Sequence, residues 1–406
     1  MPLAVLHAIP SLSLVHGGPS RAIRMMEAAL RERGVDVLTV ATDDDGPGRR
    51  VVRRCGVAVD EEGARRVYFA KRFEFYTTAP SFAVWAWRNV RRFDVVHVHA
   101  LFSFMSVVAA TVAWLRGVPF VLRPLGTLSA YGLAERRPWL KRVSLGLIER
   151  PLLRRASAVH CTSEAEAADV RALAAGANAV VIPLAVPEAA DEGGGSVDAD
   201  DVAAAVDGVV AASAFGDAPD GARVLFLSRL DPKKNVECLL AAWPSVRSAH
   251  PTARLVIAGT GEASYVASLR AAATVGGDAG VVWAGQVEGE RKRALLAQAS
   301  VFVLPTFNEN FGIAAVEALA AGVPCVLSEG VAVASDVVAA GAGLMVRAEP
   351  DAVADAIGRV LGDAPLRAAM AAAARRVARE RFSPRAMGMR LQALYVGVQR
   401  DRHPCP

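Results

Sequence analysis

The sequence predicts an α/β protein of two domains, each a parallel sheet covered by helices on both faces. Three observations carry this. The chain has 406 residues, more than one ordinary core accommodates. Short apolar runs alternate with helically spaced apolar residues along most of its length. The alternation stops once, from Pro183 to about Asp220, and then restarts.

In the first half, Leu3–Ala8 reads as a strand, Ala22–Leu30 as a helix ended by Gly34, and Val35–Val40 as a strand. The theme recurs in Val95–Val98, a helix near Phe104–Leu115, and Pro119–Leu122. Ala158–Cys161 precedes a helix opened by Ser163, and the Ser163-Glu-Ala-Glu166 spacing predicts a capping box with Glu166 reaching back. In the second half the strands are Arg223–Ser228, Arg254–Ala258, Val281–Ala284, Val301–Leu304 and Pro324–Ser328. Helices are expected at Asn235–Ser248, Arg291–Ala299, Gly312–Ala321 and Pro384–Gln399. The expected organisation is a domain over 1–183, a linker or insertion over 184–220, a domain over 221–383, and a helix over 384–406 that packs back on the first domain. Ligands belong at the carboxyl ends of the strands.

Composition excludes a disordered chain, since 53% of residues are hydrophobic and 21% charged. Residues 1–183 hold 25 basic and 16 acidic residues, and the remainder is net acidic. A basic first half suits an anionic partner such as a lipid phosphate or a membrane surface, or is simply a solvated Arg-rich face. No nucleic-acid partner is expected. Cys55, Cys161, Cys238, Cys325 and Cys405 are scattered, with no metal-ligand spacing, and suit a reducing cytoplasm. The amino terminus lacks a signal-peptide pattern. The apolar run Ala100–Leu115 is too short to span a bilayer and reads as a buried helix. A cytoplasmic protein, peripheral at the inner face of the membrane, is the expectation.

Two segments carry chemistry. Pro305-Thr-Phe-Asn-Glu-Asn-Phe-Gly312 follows a strand and opens a helix, with Glu309 in the loop and Glu317 eight residues on. A helix amino end attracts phosphate, so two carboxylates beside it suit neutral groups such as sugar hydroxyls. Ser228-Arg-Leu-Asp-Pro-Lys-Lys-Asn235 also joins a strand to a helix. Arg229 and Lys234 there converge on one anion, a fork and a point charge suited to a diphosphate. Taken singly, each segment also reads as cap chemistry or a solvated basic turn.

Together they resemble glycosyltransferase family 4, whose signature pairs Arg-Leu…Lys with an E-x7-E motif; here these are Arg229-Leu230…Lys234 and Glu309…Glu317. The resemblance implies the GT-B fold, two Rossmann-like domains whose parallel sheets face each other across a cleft. It implies a retaining transfer of a sugar from a nucleotide-diphosphate-sugar donor to a glycan or lipid-linked acceptor, as in bacterial cell-surface polysaccharide or lipopolysaccharide synthesis. Arg229 and Lys234 would hold the diphosphate, Glu309 the donor sugar and Glu317 the ribose. Asn310, Phe311, Gly312 and Ile313 would contact sugar and phosphate through the backbone, and Gly285 lies in the region that meets the base. The nucleotide sugar is a co-substrate, and no cofactor or metal is implied.

In the first domain, Gly17-Gly18 resembles the family's glycine-rich loop after strand one, and His99 in Asp94-Val-Val-His-Val-His99 resembles the histidine near the reacting sugar. His97 and His99 share a strand face, but a metal site there lacks a third ligand in view. Leu125 stands where relatives often carry histidine, which leaves Thr127 and its neighbours to serve the acceptor. Asp43-Asp44-Asp45 and Asp198-Ala-Asp200 spell D-x-D but read as solvated acidic turns. Trp139, Val143 and Leu147, among the basic residues of 134–155, form a stripe that lies on a membrane or packs on the domain. The alternatives are a catalytically silent nucleotide-sugar-binding protein and a GT-B phosphorylase or epimerase.

Overall fold

Parallel strands need a crossover between them, and the helical segments between the apolar runs supply it. The computed structural model describes residues 2–187, 221–275 and 280–400, apart from 14, 16–17, 47, 52–53, 74, 130–131 and 134–137. Gly17, Asp198–Asp200 and most of 184–220 therefore lie outside the described residues. The chain divides into two compact units: Met1–Ala185 with Pro384–Pro406, and Val186–Ser383.

Unit 1 runs β1 (Ala4–Ala8), α1 (Gly18–Arg31), β2 (Asp36–Thr42), β3 (Ala58–Glu61), β4 (Ala64–Phe69), α2 (Pro80–Asn89), β5 (Val95–His99), α3 (Phe104–Leu115) and β6 (Phe120–Arg123). It continues with α4 (Pro138–Ser144), a wide π-type turn (Leu145–Glu149), α5 (Arg150–Arg155), β7 (Ala158–Cys161), α6 (Glu164–Leu173) and β8 (Ala179–Val181). The sheet order is β3-β4-β2-β1-β5-β6-β7-β8. Every pairing is parallel except β3 with β4, a hairpin at the edge of the parallel sheet. On one face, Leu6, Val96, Val98 and Leu122 join Met105, Ala109 and Val112 of α3 in a continuous core. Burial on both faces is why these strands read as unbroken apolar runs.

The capping box forms only in half. Ser163 Oγ accepts from the Glu166 amide at 3.2 Å. The Glu166 carboxylate instead takes the amides of Thr162, buried, at 2.7 Å and of Gly126, half-buried, at 2.6 Å.

Unit 2 runs β9 (Arg223–Leu227), α7 (Val236–Ala249), β10 (Arg254–Ala258), α8 (Ala263–Val275), β11 (Val281–Gly285), α9 (Gly289–Gln298) and β12 (Val301–Leu304). It continues with α10 (Ile313–Ala320), β13 (Cys325–Ser328), α11 (Ala334–Ala339), β14 (Gly343–Val346), α12 (Pro350–Gly362) and α13 (Ala364–Arg381). Its six strands are all parallel, in the order β11-β10-β9-β12-β13-β14. The order reverses between β9 and β12. Ligands of such sheets bind outside the carboxyl ends of the two strands at the reversal.

The last helix, α14 (Pro384–Arg400), belongs to unit 1 and packs on α1 and β5. Arg33 Nε donates to Gln392 Oε1 at 2.8 Å, and Gln399 Nε2 to Asp94 Oδ1 at 2.9 Å. Among the described residues no helix is long and apolar enough to cross a membrane.

Candidate functional site

In unit 2 the loops after β9 and β12 meet at the strand reversal. Asp231 opens a tight turn over Pro232–Lys234, its carboxylate accepting from the Lys233 amide at 3.1 Å. The Lys233 carbonyl then accepts from the Phe307 amide at 2.9 Å and from Thr306 Oγ1 at 2.7 Å. These bonds fasten one loop to the other. They set Lys234, only 4% exposed, against Glu309, and the two side chains form an ion pair. The Glu309 backbone is itself held in a parallel bridge with Val331.

Arg229 is exposed at the end of β9 and has no ion pair among the described residues. The arrangement therefore brings Lys234 and Glu309 together and leaves Arg229 a solvent-facing guanidinium at the same strand end. Glu317 on α10 is paired with Lys292 of α9 at 2.6 Å, both side chains about one-fifth exposed. Sequence reasoning missed Lys292, because nothing local marks a lysine that meets a carboxylate on another helix.

Gly312 caps α10 with φ +95°, a conformation L side chains rarely adopt. A Cβ there would also stand 3.0 Å from Val331 Cγ1 and 3.7 Å from Glu309 Cγ. Glycine is thus needed for the turn that carries Glu309, a second reason beside ligand approach. Phe311 is buried against Phe382, ring centroids 6.0 Å apart, so its side chain anchors the loop inside unit 2. Asn310 and Ile313 flank it, half-buried.

Gly285 ends β11, and its carbonyl accepts from the Gly259 amide at 2.7 Å. With Gly259, Thr260, Gly261, Arg270 and Trp283 it lines a cavity of about 390 Å³. A second cavity, about 450 Å³, is lined by Asp231, Pro232 and Tyr265 among others. Neither is lined by Lys234 or Glu309. The Gly259-Thr-Gly261 turn has a structural cause. A Cβ at Gly259 would fall 1.8 Å from the Ser228 carbonyl oxygen, and one at Gly261 would fall 2.0 Å from that of Leu230. The glycines let the loops after β9 and β10 lie against each other. Gly261→Ala is expected to cost on the order of 2–4 kcal/mol in urea unfolding; unchanged stability would refute the close approach.

Unit 1 offers a different constellation. Gly18 starts α1 at the loop after β1. The acidic turn beside it is no solvated D-x-D. Asp43 and Asp44 are buried, Asp44 pairs with Lys71, and Asp45 accepts from Ser13 Oγ at 2.6 Å. These bonds clamp the loop after β1, which is why three acids are tolerated together. Leu125 takes φ +59°, and the Thr127 hydroxyl is spent on the Pro124 carbonyl at 2.7 Å.

His99 ends β5 but is closed to solvent. It is wholly buried, as are His7, His97 and His160, on a sheet face covered by Tyr395 of α14. Where the sequence suggested a ring open at the strand end, the His99 ring lies against His7, His97 and Arg123. Burial, with the Arg123 guanidinium as a lesser cause, pushes His7 and His160 down to about 3. Burial first, then the neighbouring histidines and Arg123, drives His97 and His99 well below their ordinary value. All four imidazoles are therefore neutral at pH 7.

Neutrality fixes every proton. His160 Nε2 donates to the Ile182 carbonyl at 2.8 Å, so its Nδ1 accepts from His97 Nε2 at 3.3 Å. His97 Nδ1 then accepts the Tyr395 hydroxyl at 2.7 Å, and the Tyr395 oxygen accepts from His7 Nε2 at 3.2 Å. Arg123 Nη1 donates to His99 Nδ1 at 3.5 Å. What remains is a bare lone pair on His7 Nδ1 and a bare N–H on His99 Nε2, both buried without a partner. His7 supplies the third ring that the sequence did not reveal, and His7, His97 and His99 place ring nitrogens within 4.8 Å of one another. Both nitrogens of His97 are committed, and a buried guanidinium adjoins His99. Those two facts oppose a cation there.

Two α/β units, one with a Rossmann strand order and a lysine–glutamate pair at its reversal, define a two-domain protein of the GT-B class. Residues 213–377 match the family described as glycosyl transferases group 1, and residues 17–185 the glycosyl transferase 4-like domain. The chain belongs to the group 1 glycosyl transferases of the family 4-like type. It is similar to an uncharacterised glycosyltransferase of Methanocaldococcus jannaschii, 36% identical over 36% of this chain and 37% of that one. It is 27% identical to a phosphatidyl-myo-inositol mannosyltransferase of Propionibacterium freudenreichii, over 76% of this chain and 73% of that one. The match thus spans well under half of the first relative and about three quarters of the second. Among solved structures, an Anabaena protein in complex with UDP matches with a TM-score of 0.73 and 18% identity, over 98% of this chain and 100% of that one. The fold is GT-B.

Proposed function

We propose that the chain is a retaining glycosyltransferase that uses a nucleotide-diphosphate-sugar donor and no metal. The observation that carries it is the Lys234–Glu309 pair, fixed by the stitched loops at the β9/β12 reversal with Arg229 exposed beside it. The diphosphate meets Arg229 and Lys234. Glu309, partly neutralised by Lys234, accepts donor-sugar hydroxyls. Glu317, steadied by Lys292, accepts those of the ribose. The backbone of Asn310–Ile313 supplies amides, and the cavity at Gly285 takes the base. The acceptor oxygen attacks the anomeric carbon on the face the diphosphate leaves. The bond from that carbon to the phosphate oxygen breaks, and the acceptor proton passes to the departing phosphate. Arg229 and Lys234 stabilise the charge that develops there. The UDP in the Anabaena complex and the phosphatidyl-myo-inositol in the name of the Propionibacterium relative support a nucleotide-sugar donor and a lipid-linked or glycan acceptor. A role in bacterial cell-surface polysaccharide or lipopolysaccharide assembly belongs to the same proposal.

The test is acceptor-dependent release of nucleoside diphosphate from UDP-, GDP- and ADP-sugars, with product configuration read by NMR. Release from one donor, with the anomeric configuration kept, is expected. An altered configuration of the donor sugar without acceptor would indicate an epimerase, and product formed only with inorganic phosphate a phosphorylase. No turnover of any donor would leave a silent binding protein, and an inverted product would overturn retention.

A further inference from the structure

The helical segment 138–155 wears its apolar residues on the outside. Trp139, Val143 and Leu147, four apart along α4 and the wide turn, are 68%, 49% and 75% exposed. Arg142, Arg150 and Arg154 are exposed alongside them. The acid of this stretch, Glu149, is turned inward and buried, accepting from Ser144 Oγ at 2.8 Å. The stripe therefore does not pack on the domain.

A second basic and aromatic patch lies at the carboxyl ends of α2, α3 and α5. Trp87 and Trp114 are each 47% exposed and Leu115 57%. The Arg116 guanidinium stacks over Trp87 and that of Arg155 over Trp114, each 4.7 Å from the ring centroid. Arg91 Nε reaches the Arg116 carbonyl at 3.4 Å. The helices α2, α3, α4 and α5 contain no acidic residue at all. Arginines at helix carboxyl ends suit the helix dipole, but that does not account for exposed tryptophan, valine and leucine in line with them. Aliphatic groups flanked by arginine and tryptophan, with negative charge excluded, match the boundary between lipid headgroups and acyl chains.

We propose that this face of unit 1 docks on an anionic lipid bilayer. Leu147, Val143 and the Trp139 ring enter the headgroup–acyl boundary. The arginines meet lipid phosphates. The inference names a surface of this chain and does not depend on sugar transfer. Charge complementarity selects lipid over other occupants: a nucleic acid would use the arginines and rings but gain nothing from Val143 and Leu147.

The experiment is co-sedimentation of the full chain with vesicles of phosphatidylcholine alone and of phosphatidylcholine mixed with phosphatidylglycerol. Binding to the anionic vesicles, weakening as salt rises, is expected. A Trp139→Ser/Leu147→Ser variant should lose on the order of tenfold in vesicle affinity, with circular dichroism, melting temperature and transfer to a soluble acceptor unchanged. No binding by the wild-type chain, undiminished binding by the variant, or equally tight binding of polyuridylate would each overturn the proposal. Self-association abolished by the same variant would overturn it too, and would assign the face to a second copy.

Discussion

Lys234→Ala is expected to lower kcat/KM for transfer by about 10³-fold or more, the scale seen when a preorganised charge is removed from a developing anion. The lysine is placed, not free. The Pro232–Lys234 turn fixes its backbone, the bonds to Phe307 and Thr306 fix the turn, and Glu309 fixes its ammonium. Alanine also strands the Glu309 carboxylate, whose side chain is 25% exposed, at a cost of about 1–3 kcal/mol. The two effects separate in Lys234→Ala/Glu309→Gln, which removes both charges. Its melting temperature should recover toward wild type while turnover stays lost. Recovery of turnover with stability would mean that the pair serves the fold alone.

The chain is also expected to lose stability steeply below pH 6.5. The buried histidines of unit 1 are neutral when folded, and in the unfolded chain each takes up a proton near 6.5. Their folded values lie lower, so the unfolded state binds more protons. Stability falls as pH drops from 6.5 toward about 3, where His7 and His160 titrate in place. Each histidine contributes about 1.4 kcal/mol per pH unit across that window. Four together should lower the melting temperature by roughly 10 °C or more between pH 7 and 5. Above pH 6.5 they contribute no slope. Replacing His160 with asparagine should flatten the dependence by about one histidine's share, at the cost of its bond to Ile182. A melting temperature level from pH 7 to 5 would show that these rings are not neutral or not buried.

The strands and helices that bury a whole face announce themselves. Val95–Val98, Phe104–Leu115, Ala158–Cys161, Arg254–Ala258 and Val301–Leu304 all lie within a residue of their observed bounds, because apolar periodicity and burial are one fact seen twice. Elements whose burial depends on pairing stay hidden. β4 holds Arg65 and Arg66, and Arg66 is buried only because Glu27 of α1 meets it at 2.6 Å. α13 is largely alanine and arginine, and its buried stripe, Met370, Ala373, Ala374, Val377 and Ala378, is mostly alanine and so stands out little in the sequence. The site divides the same way. Arg229, Lys234, Glu309 and Glu317 stand in compact local patterns. Lys292 matters through a residue 25 positions away, and Tyr395 reaches His7 across 388. His99 divides likewise: its strand was legible, while its burial against His7, His97 and Arg123 depends on residues distant in sequence.

The central claim is that the β9/β12 reversal grips a nucleoside diphosphate through Arg229 and Lys234. Calorimetric titration of UDP, GDP and ADP into the full chain, and into its Arg229→Ala and Lys234→Ala variants, tests it most directly. One of the three nucleotides should bind the wild-type chain, and each substitution should weaken it by about tenfold or more. Binding that is equally tight in all three proteins, or absent from the wild-type chain, would contradict it.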